Sequence, residues 1–223
     1  MRSYQALALL LTYPEADWLE QLQHVEALLQ AEGDRNGEAA TLLAPLFELL
    51  RDTPLIELQQ NYVATFDQTP SHSLHLFEHI HGESRDRGQA MVNLLQEYRA
   101  HGLIMTSDEL PDYVPLFLEY LSQRPEADAA KLLGDAVHVL ALIGKKLNTN
   151  GSPYHTVFDV LEALSPVAAQ PLQEPPIRDM DEAMETFGPA IDGIEPLLGA
   201  KPQIAYAAMP KSRRKNHAAP SGI

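Results

Sequence analysis

His75-Leu76-Phe77-Glu78-His79 holds the residue types that bind and use zinc. The order H-x-x-E-H is the inverted zinc-peptidase pattern. Two imidazoles one helical turn apart would share the ion, and Glu78 would act as general base. His72 and His81 add further candidate ligands, but no third downstream ligand stands out. A zinc-dependent hydrolase is therefore the alternative reading of this segment. The other reading is binding. From Leu58 to Gly88 the chain carries four histidines and the large aromatics Tyr62, Phe66 and Phe77, mixed with charged residues. That is too much apolar mass for a surface loop and too many ionisable groups for plain core. Such a mixture suits a groove that holds a ligand.

A second constellation lies downstream at Glu109-Leu110-Pro111-Asp112-Tyr113-Val114-Pro115. Each proline fixes its own φ and disfavours the helical region for the residue before it. The result is a stiff, acidic elbow between helices, with Glu109 and Asp112 close to Tyr113. Beside an aromatic helix, such an elbow could receive a basic amphipathic peptide in helix-in-groove fashion. Leu58, Leu76, Leu94 and Leu116 are expected in the core, whereas Tyr62, Phe66, Phe77 and Tyr113 suit core and groove equally. Arg85 and Arg87 follow at a helix start. They are expected to pair internally with Glu78, Glu83 or Asp86, since half-buried carboxylates need partners. Ser84 would be the N-cap of that helix.

The elements that position these residues read as helices. The chain has 223 residues, 45% of them hydrophobic, and only 7% are aromatic. Leu and Ala dominate, which favours helix over sheet. Apolar stripes recur at helical spacing: Tyr4–Leu11, Trp18–Leu29, Leu42–Leu50, Leu55–Phe66, Met91–Tyr98 and Leu132–Leu147. Thr53-Pro54, Pro125 and Ser152-Pro153 mark starts; His101-Gly102 and Asn148–Gly151 mark ends. No alternating strand pattern and no internal repeat is present. The expected fold is all-α, a single-domain bundle of about eight to nine helices over residues 1–164. Nine of the seventeen prolines fall in residues 165–223. That stretch reads as a mostly disordered tail with a basic end. Residues 179–187 could form a brief amphipathic turn through Met180, Met184 and Phe187.

Charge and composition exclude several functions. The net charge is −15, which argues against nucleic-acid binding by the body. With no cysteine, the chain has no disulfide, no thiolate metal site and no cysteine nucleophile. It cannot hold an iron–sulfur cluster by thiolates. No G-x-x-x-x-G-K-[ST] loop supports ATP use. The apolar run Ala6–Leu11 is too short for a secretory core of ~7–15 residues, and nothing approaches the ~20 apolar residues of a membrane span. A cytoplasmic protein without stable membrane insertion is expected.

Residues 74–92, Leu-His-Leu-Phe-Glu-His-Ile-His-Gly-Glu-Ser-Arg-Asp-Arg-Gly-Gln-Ala-Met-Val, resemble the signature of the NarJ-type nitrate reductase molybdenum cofactor assembly chaperones, also called respiratory nitrate reductase delta subunits. Glu109–Leu121, the opening Tyr4–Pro14 and the Leu58–Asp67 helix fit the same family. The resemblance covers about residues 3–164. It implies an all-helical, non-enzymatic chaperone of the redox enzyme maturation group, with no cofactor of its own. The implied partner is the apo form of the nitrate reductase alpha subunit, bound by its N-terminal peptide, alone or within the alpha–beta complex. Cofactor biosynthesis proteins are further partners. The chaperone would keep the client competent for molybdenum cofactor and iron–sulfur insertion before membrane assembly. Related chaperones bind peptide with an aromatic helix and a Glu-Pro-x-Asp-His loop. Here Pro111 stands one place later, and Tyr113 stands where histidine would. The client-binding residues so indicated are Tyr62, Phe66, His75, Phe77, Glu78, His79, Arg87, Glu109, Pro111, Asp112 and Tyr113.

Overall fold

The computed structural model describes residues 2–32, 38–81, 85–106 and 109–172. Ten α-helices form among them: α1 (Arg2–Leu10), α2 (Ala16–Leu19), α3 (Leu22–Glu32), α4 (Glu38–Asp52), α5 (Leu55–Tyr62), α6 (Glu78–His81), α7 (Arg85–Ala100), α8 (Val114–Ser122), α9 (Glu126–Thr149) and α10 (His155–Leu164). The all-α fold matches the apolar periodicities. Ten is one more than the upper end of the expected range, and two elements account for the difference. The Trp18–Leu29 stripe is two helices, broken at Glu20 and Gln21, and the four-residue α6 had no periodicity to announce it.

α1 and α8 run against each other at the centre, and both are buried on nearly every side. α3 packs between α1 and α4, while the long α9 lies along α10, whose other flank meets α4. Apolar residues at i, i+3, i+4 and i+7 supply each contact, as an amphipathic stripe requires. Leu7, Leu10, Leu43, Leu46, Leu118, Leu133, Leu140, Ile143 and Leu161 are fully buried. Leu58 and Leu76 are core, as expected; Leu94 and Leu116 only lean on it half-buried. In α7, Tyr98 is the one fully buried side chain.

Helices start just after Pro54 and Pro153, as marked, but without side-chain caps. Pro54 rather than Thr53 occupies the N-cap of α5, and Tyr154 rather than Ser152 that of α10; neither makes a side-chain cap bond. Proline's fixed φ sets the start of α5 directly. At α10, a turn through Ser152 and Pro153 delivers the first backbone bonds instead. The expected stops do hold: Gly102 and Gly151 take positive φ of 80° and 72°, where a Cβ is disfavoured. The expected Ser84 cap and Glu83 partner lie outside the described residues, as do the 179–187 turn and the basic end. Residues 165–172 follow α10 and return to α9. Leu172 packs on the core, and the Gln170 N–H donates to His138 Nδ1 at 2.9 Å.

α9 and α10 approach closely because Gly144 has no side chain. A Cβ there would stand 2.6 Å from the Phe158 Cβ. Alanine favours helix over glycine by ~1 kcal/mol, but this contact cannot be relieved by a flexible side-chain tip. Gly144→Ala is expected to lower unfolding free energy by about 1–3 kcal/mol through overpacking. Urea denaturation measures it, and a stabilised variant would show that propensity wins over packing.

Candidate client-binding surface

The site is built on carbonyls that the end of α1 leaves unpaired. Tyr62 donates its hydroxyl proton to the Leu11 carbonyl at 2.9 Å. Gln59 Nε2 donates to the Pro14 carbonyl at 2.9 Å, and Trp18 Nε1 to the Tyr13 carbonyl at 3.0 Å. α5 is thereby fixed to the α1–α2 turn. Beyond Tyr62 the helix widens into a π turn, Val63–Asp67, with a Gln68 N–H to Val63 carbonyl bond of 3.0 Å. Such turns are rare and cluster at functional sites. The extra residue turns Phe66 toward Tyr62 and Tyr154, at ring-centroid separations of 4.8 and 4.9 Å. His72 locks the turn from below. Its Nε2 accepts from the Asn150 amide at 2.8 Å, so Nδ1 carries the proton and donates to the Thr65 carbonyl at 3.0 Å.

Tyr62 and Phe66 are therefore core residues, and neither offers a broad face to a partner. A double alanine change there would empty the core rather than report on binding. Their influence reaches the surface through two other rings. Tyr13 stacks edge-on to Tyr62 at 5.5 Å and is 42% exposed. Tyr113, half-buried, brings its hydroxyl within 3.4 Å of the Tyr62 oxygen. The Tyr62 proton is committed to Leu11, so Tyr113 is the donor across that gap.

The Leu74–Phe77 segment and the elbow pair as a short antiparallel bridge. The Val114 N–H donates to the Leu74 carbonyl at 2.8 Å, and the Leu76 N–H to the Asp112 carbonyl at 3.0 Å. His75 faces Tyr113 across the bridge, ring to ring at 5.6 Å. Pro111 is buried, and its carbonyl accepts from the Tyr98 hydroxyl at 2.8 Å. The elbow thus rests on the buried Tyr98 of α7.

Asp112 is wholly buried and accounts for its charge locally. Oδ2 accepts from the Phe77 N–H at 3.0 Å, and Oδ1 stands 3.4 Å from His75 Nδ1. Neither that oxygen nor that nitrogen has a shorter partner, so the contact is a long ion pair rather than a full hydrogen bond. Burial opposes ionisation of Asp112. The His75 contact, the Phe77 N–H and the charges of His75 and Arg87 outweigh it and hold the carboxyl below its usual range. Burial likewise opposes the His75 imidazolium, but Asp112, with Glu78 and Glu109, holds its pKa above the ordinary value. Glu78 is held low against its own burial by the Ser73 hydroxyl and by Arg87, whose guanidinium donates to it at 2.9 Å. The internal Arg87–Glu78 pairing matches the sequence expectation.

The zinc arrangement does not form. Its pattern needs one helix through His75 and His79, but α6 begins at Glu78 and His75 lies in the extended bridge. His79 is buried, with Nε2 against the Ser73 carbonyl at 2.8 Å. His81 lies edge-on to Phe77 at 5.9 Å. Among the described residues no three His, Asp or Glu side chains converge as a metal site.

The indicated residues thus separate into two sets. Tyr62, Phe66, His79, Pro111 and Asp112 are interior supports. Glu109 is exposed on the rim, Tyr113 half-buried beside it, and His75, Phe77, Glu78 and Arg87 are partly accessible. The rim also includes residues not singled out from sequence: Tyr13, Leu110 at 41% exposure, and Asp67. Burial raises the Tyr113 phenol above its ordinary value, and the negative charges of Glu109 and Asp67 add to it. Only the tertiary pairing of the elbow with α5 brings Asp67 to Tyr113. Tyr13, next to Pro14, resembled an ordinary turn residue.

The His75–Asp112 pair makes stability depend on pH in both directions. Because the His75 pKa is raised on folding, its contribution is full below the unfolded imidazole value, ~6.5, and is lost as pH rises through the folded value. Asp112 and Glu78 are lowered, so theirs is present above the unfolded carboxyl values and is lost as pH falls through the folded ones. Asp112→Asn is expected to move His75 titration, followed by NMR, to lower pH and to cost about 1–3 kcal/mol near pH 6. An unmoved His75 would mean the pair is not electrostatically coupled.

The nitrate reductase delta subunit family model matches residues 31–159. The nitrate reductase molybdenum cofactor assembly chaperone NarJ of Escherichia coli K12 is 40% identical over 186 residues, 83% of this chain and 78% of that protein. The probable chaperone NarW of the same organism is 39% identical, over 74% and 68% of the two chains. The probable NarJ of Bacillus subtilis 168 is 30% identical, over 72% and 86%. These matches establish that the chain belongs to the nitrate reductase delta subunit family, and the three relatives named here are assembly chaperones or probable ones.

Proposed function

We propose that this chain is a dedicated chaperone for a nitrate reductase, binding the N-terminal segment of the apo alpha subunit in the cytoplasm. It holds that subunit competent for insertion of the molybdenum cofactor and iron–sulfur clusters before membrane assembly. The chain is not an enzyme, and no described helix is long and apolar enough to cross a membrane. The names of its relatives support the client. The observation that carries the binding mode is the rim: exposed Tyr13 and Leu110 and half-buried Tyr113, flanked by the carboxylates of Asp67 and Glu109. Apolar surface ringed by one sign of charge suits an amphipathic peptide of the opposite sign, with aromatic anchors for affinity and charges for encounter. The bridge and the Asp112 network keep the rim rigid, which lowers the entropy cost of binding.

Calorimetric titration with a synthetic alpha-subunit N-terminal peptide tests this. Tyr113→Ala is expected to weaken binding by about 5–30-fold, the range of an aromatic anchor worth 1–2 kcal/mol. Glu109→Gln should weaken it only a few-fold but should flatten its dependence on salt. A folded Tyr113→Ala protein with unchanged affinity would place the client elsewhere.

A further inference from the structure

We propose that the chain carries its own competitor for this surface: residues 200–215 dock on the Tyr13–Leu110–Tyr113 rim and yield it to the client. The inference rests on the proposed peptide-binding role of that rim, and it adds an intramolecular regulator. Three observations support it.

The first is charge. The last acidic residue is Glu195, and Lys201, Lys211, Arg213, Arg214 and Lys215 follow it. Residues 1–200 hold 11 basic and 31 acidic residues, a net −20, against +5 beyond them. The positive segment therefore belongs to a chain whose rim is flanked by Asp67 and Glu109. The second is composition. Ala-Lys-Pro-Gln-Ile-Ala-Tyr-Ala-Ala-Met-Pro-Lys-Ser-Arg-Arg-Lys joins an apolar part, Ile204, Tyr206 and Met209, to a basic part. A surface with exposed Tyr13 and Leu110 and half-buried Tyr113 inside an acidic border selects that chemistry. The third is reach. The described chain ends at Leu172, seated on the core, and 38 residues lie between it and Lys211. Extended at ~3.3–3.6 Å per residue they span about 130 Å, well beyond the roughly 40 Å diameter of a bundle of this size.

Tethering supplies the competition. A segment on a linker of this kind is present at an effective concentration of order mM. Even a weak contact, with Kd near ~0.1 mM, would then occupy the rim most of the time and reduce client affinity about 10-fold. A client peptide with micromolar intrinsic affinity would still displace it. The bare rim would be covered until the correct N-terminus arrives, which suits a surface otherwise open to any basic amphipathic segment.

Two measurements on the full-length chain test this. In one, Lys211, Arg213, Arg214 and Lys215 are all changed to Gln, and alpha-subunit N-terminal peptide is titrated into both proteins. The variant is expected to bind about 5–10-fold more tightly. Equal or weaker binding overturns the competitor while leaving the client-binding role intact. In the other, a nitroxide is attached at Ser212→Cys, a unique site because the chain has no cysteine. Broadening of the Leu110 and Tyr113 amide resonances, relieved by client peptide, is expected. If neither protein binds the peptide yet the broadening is present, the tail contact stands and the client reading fails. If the resonances are not broadened, the proposal fails whatever the peptide does.

Discussion

A carboxylate without solvent exposure must be held by its surroundings or be neutralised, and Asp112 is such a group. Its requirements organise the site. They bring the Phe77 N–H and the His75 ring to the elbow, and the two backbone bonds between Leu74–Leu76 and Asp112–Val114 fix the distance. Pro111 and Pro115, both buried, keep the elbow from relaxing into helix. Charged and polar groups around it then fall into a chain: Arg87 on Glu78, Glu78 with Ser73, Ser73 against His79, and His75 on Asp112. A buried ion pair is weak evidence for net stability. Here it specifies which segment meets which, and so where Tyr113 stands.

The aromatic cluster does for the other half of the site what Asp112 does for the elbow. Tyr62 is anchored to Leu11 by its hydroxyl and to Phe66 and Tyr154 by its ring. It still touches the two rings that reach solvent, Tyr13 and Tyr113. The surface is thus the outer layer of the core rather than a patch laid over it. Rings held by core packing lose little freedom when a partner arrives.

Much of this was legible in the chain, and the parts that were not share a cause. Helices α1, α4, α7 and α9 follow from stripes such as Tyr4–Leu11 and Leu132–Leu147, because burial of one face leaves a period of 3.6. The elbow follows from Pro111 and Pro115, and the Arg87–Glu78 pair from the need of a half-buried carboxylate for a partner. The π turn was not visible, since Leu58, Tyr62 and Phe66 keep helical spacing through it. Nor was the bridge, which is too short for alternation. The zinc pattern failed for the related reason that a five-residue motif assumes a helix the chain does not build at His75. The deeper ambiguity concerned role. Asp112 and Glu109 look alike in sequence, two acids on one elbow, yet one is a buried brace and the other an exposed charge. Only tertiary pairing separates them.

That separation sets how substitutions in such a site should be read. Loss of a brace such as Asp112 acts on the fold, and it leaves a signature in stability and in His75 titration. Under the proposed client-binding role, loss of an exposed rim group such as Glu109 would instead change encounter rate and its salt dependence. Tyr113 belongs to both sets, since it is half-buried and faces His75. Under the same proposal its ring would supply affinity, while its hydroxyl makes the link with Tyr62. Tyr113→Phe therefore separates them: it keeps the apolar anchor and removes only a long, 3.4 Å hydroxyl contact. A partner that reads the surface through burial of that ring is indifferent to the change, whereas one that requires the rim to be tied to the core is not.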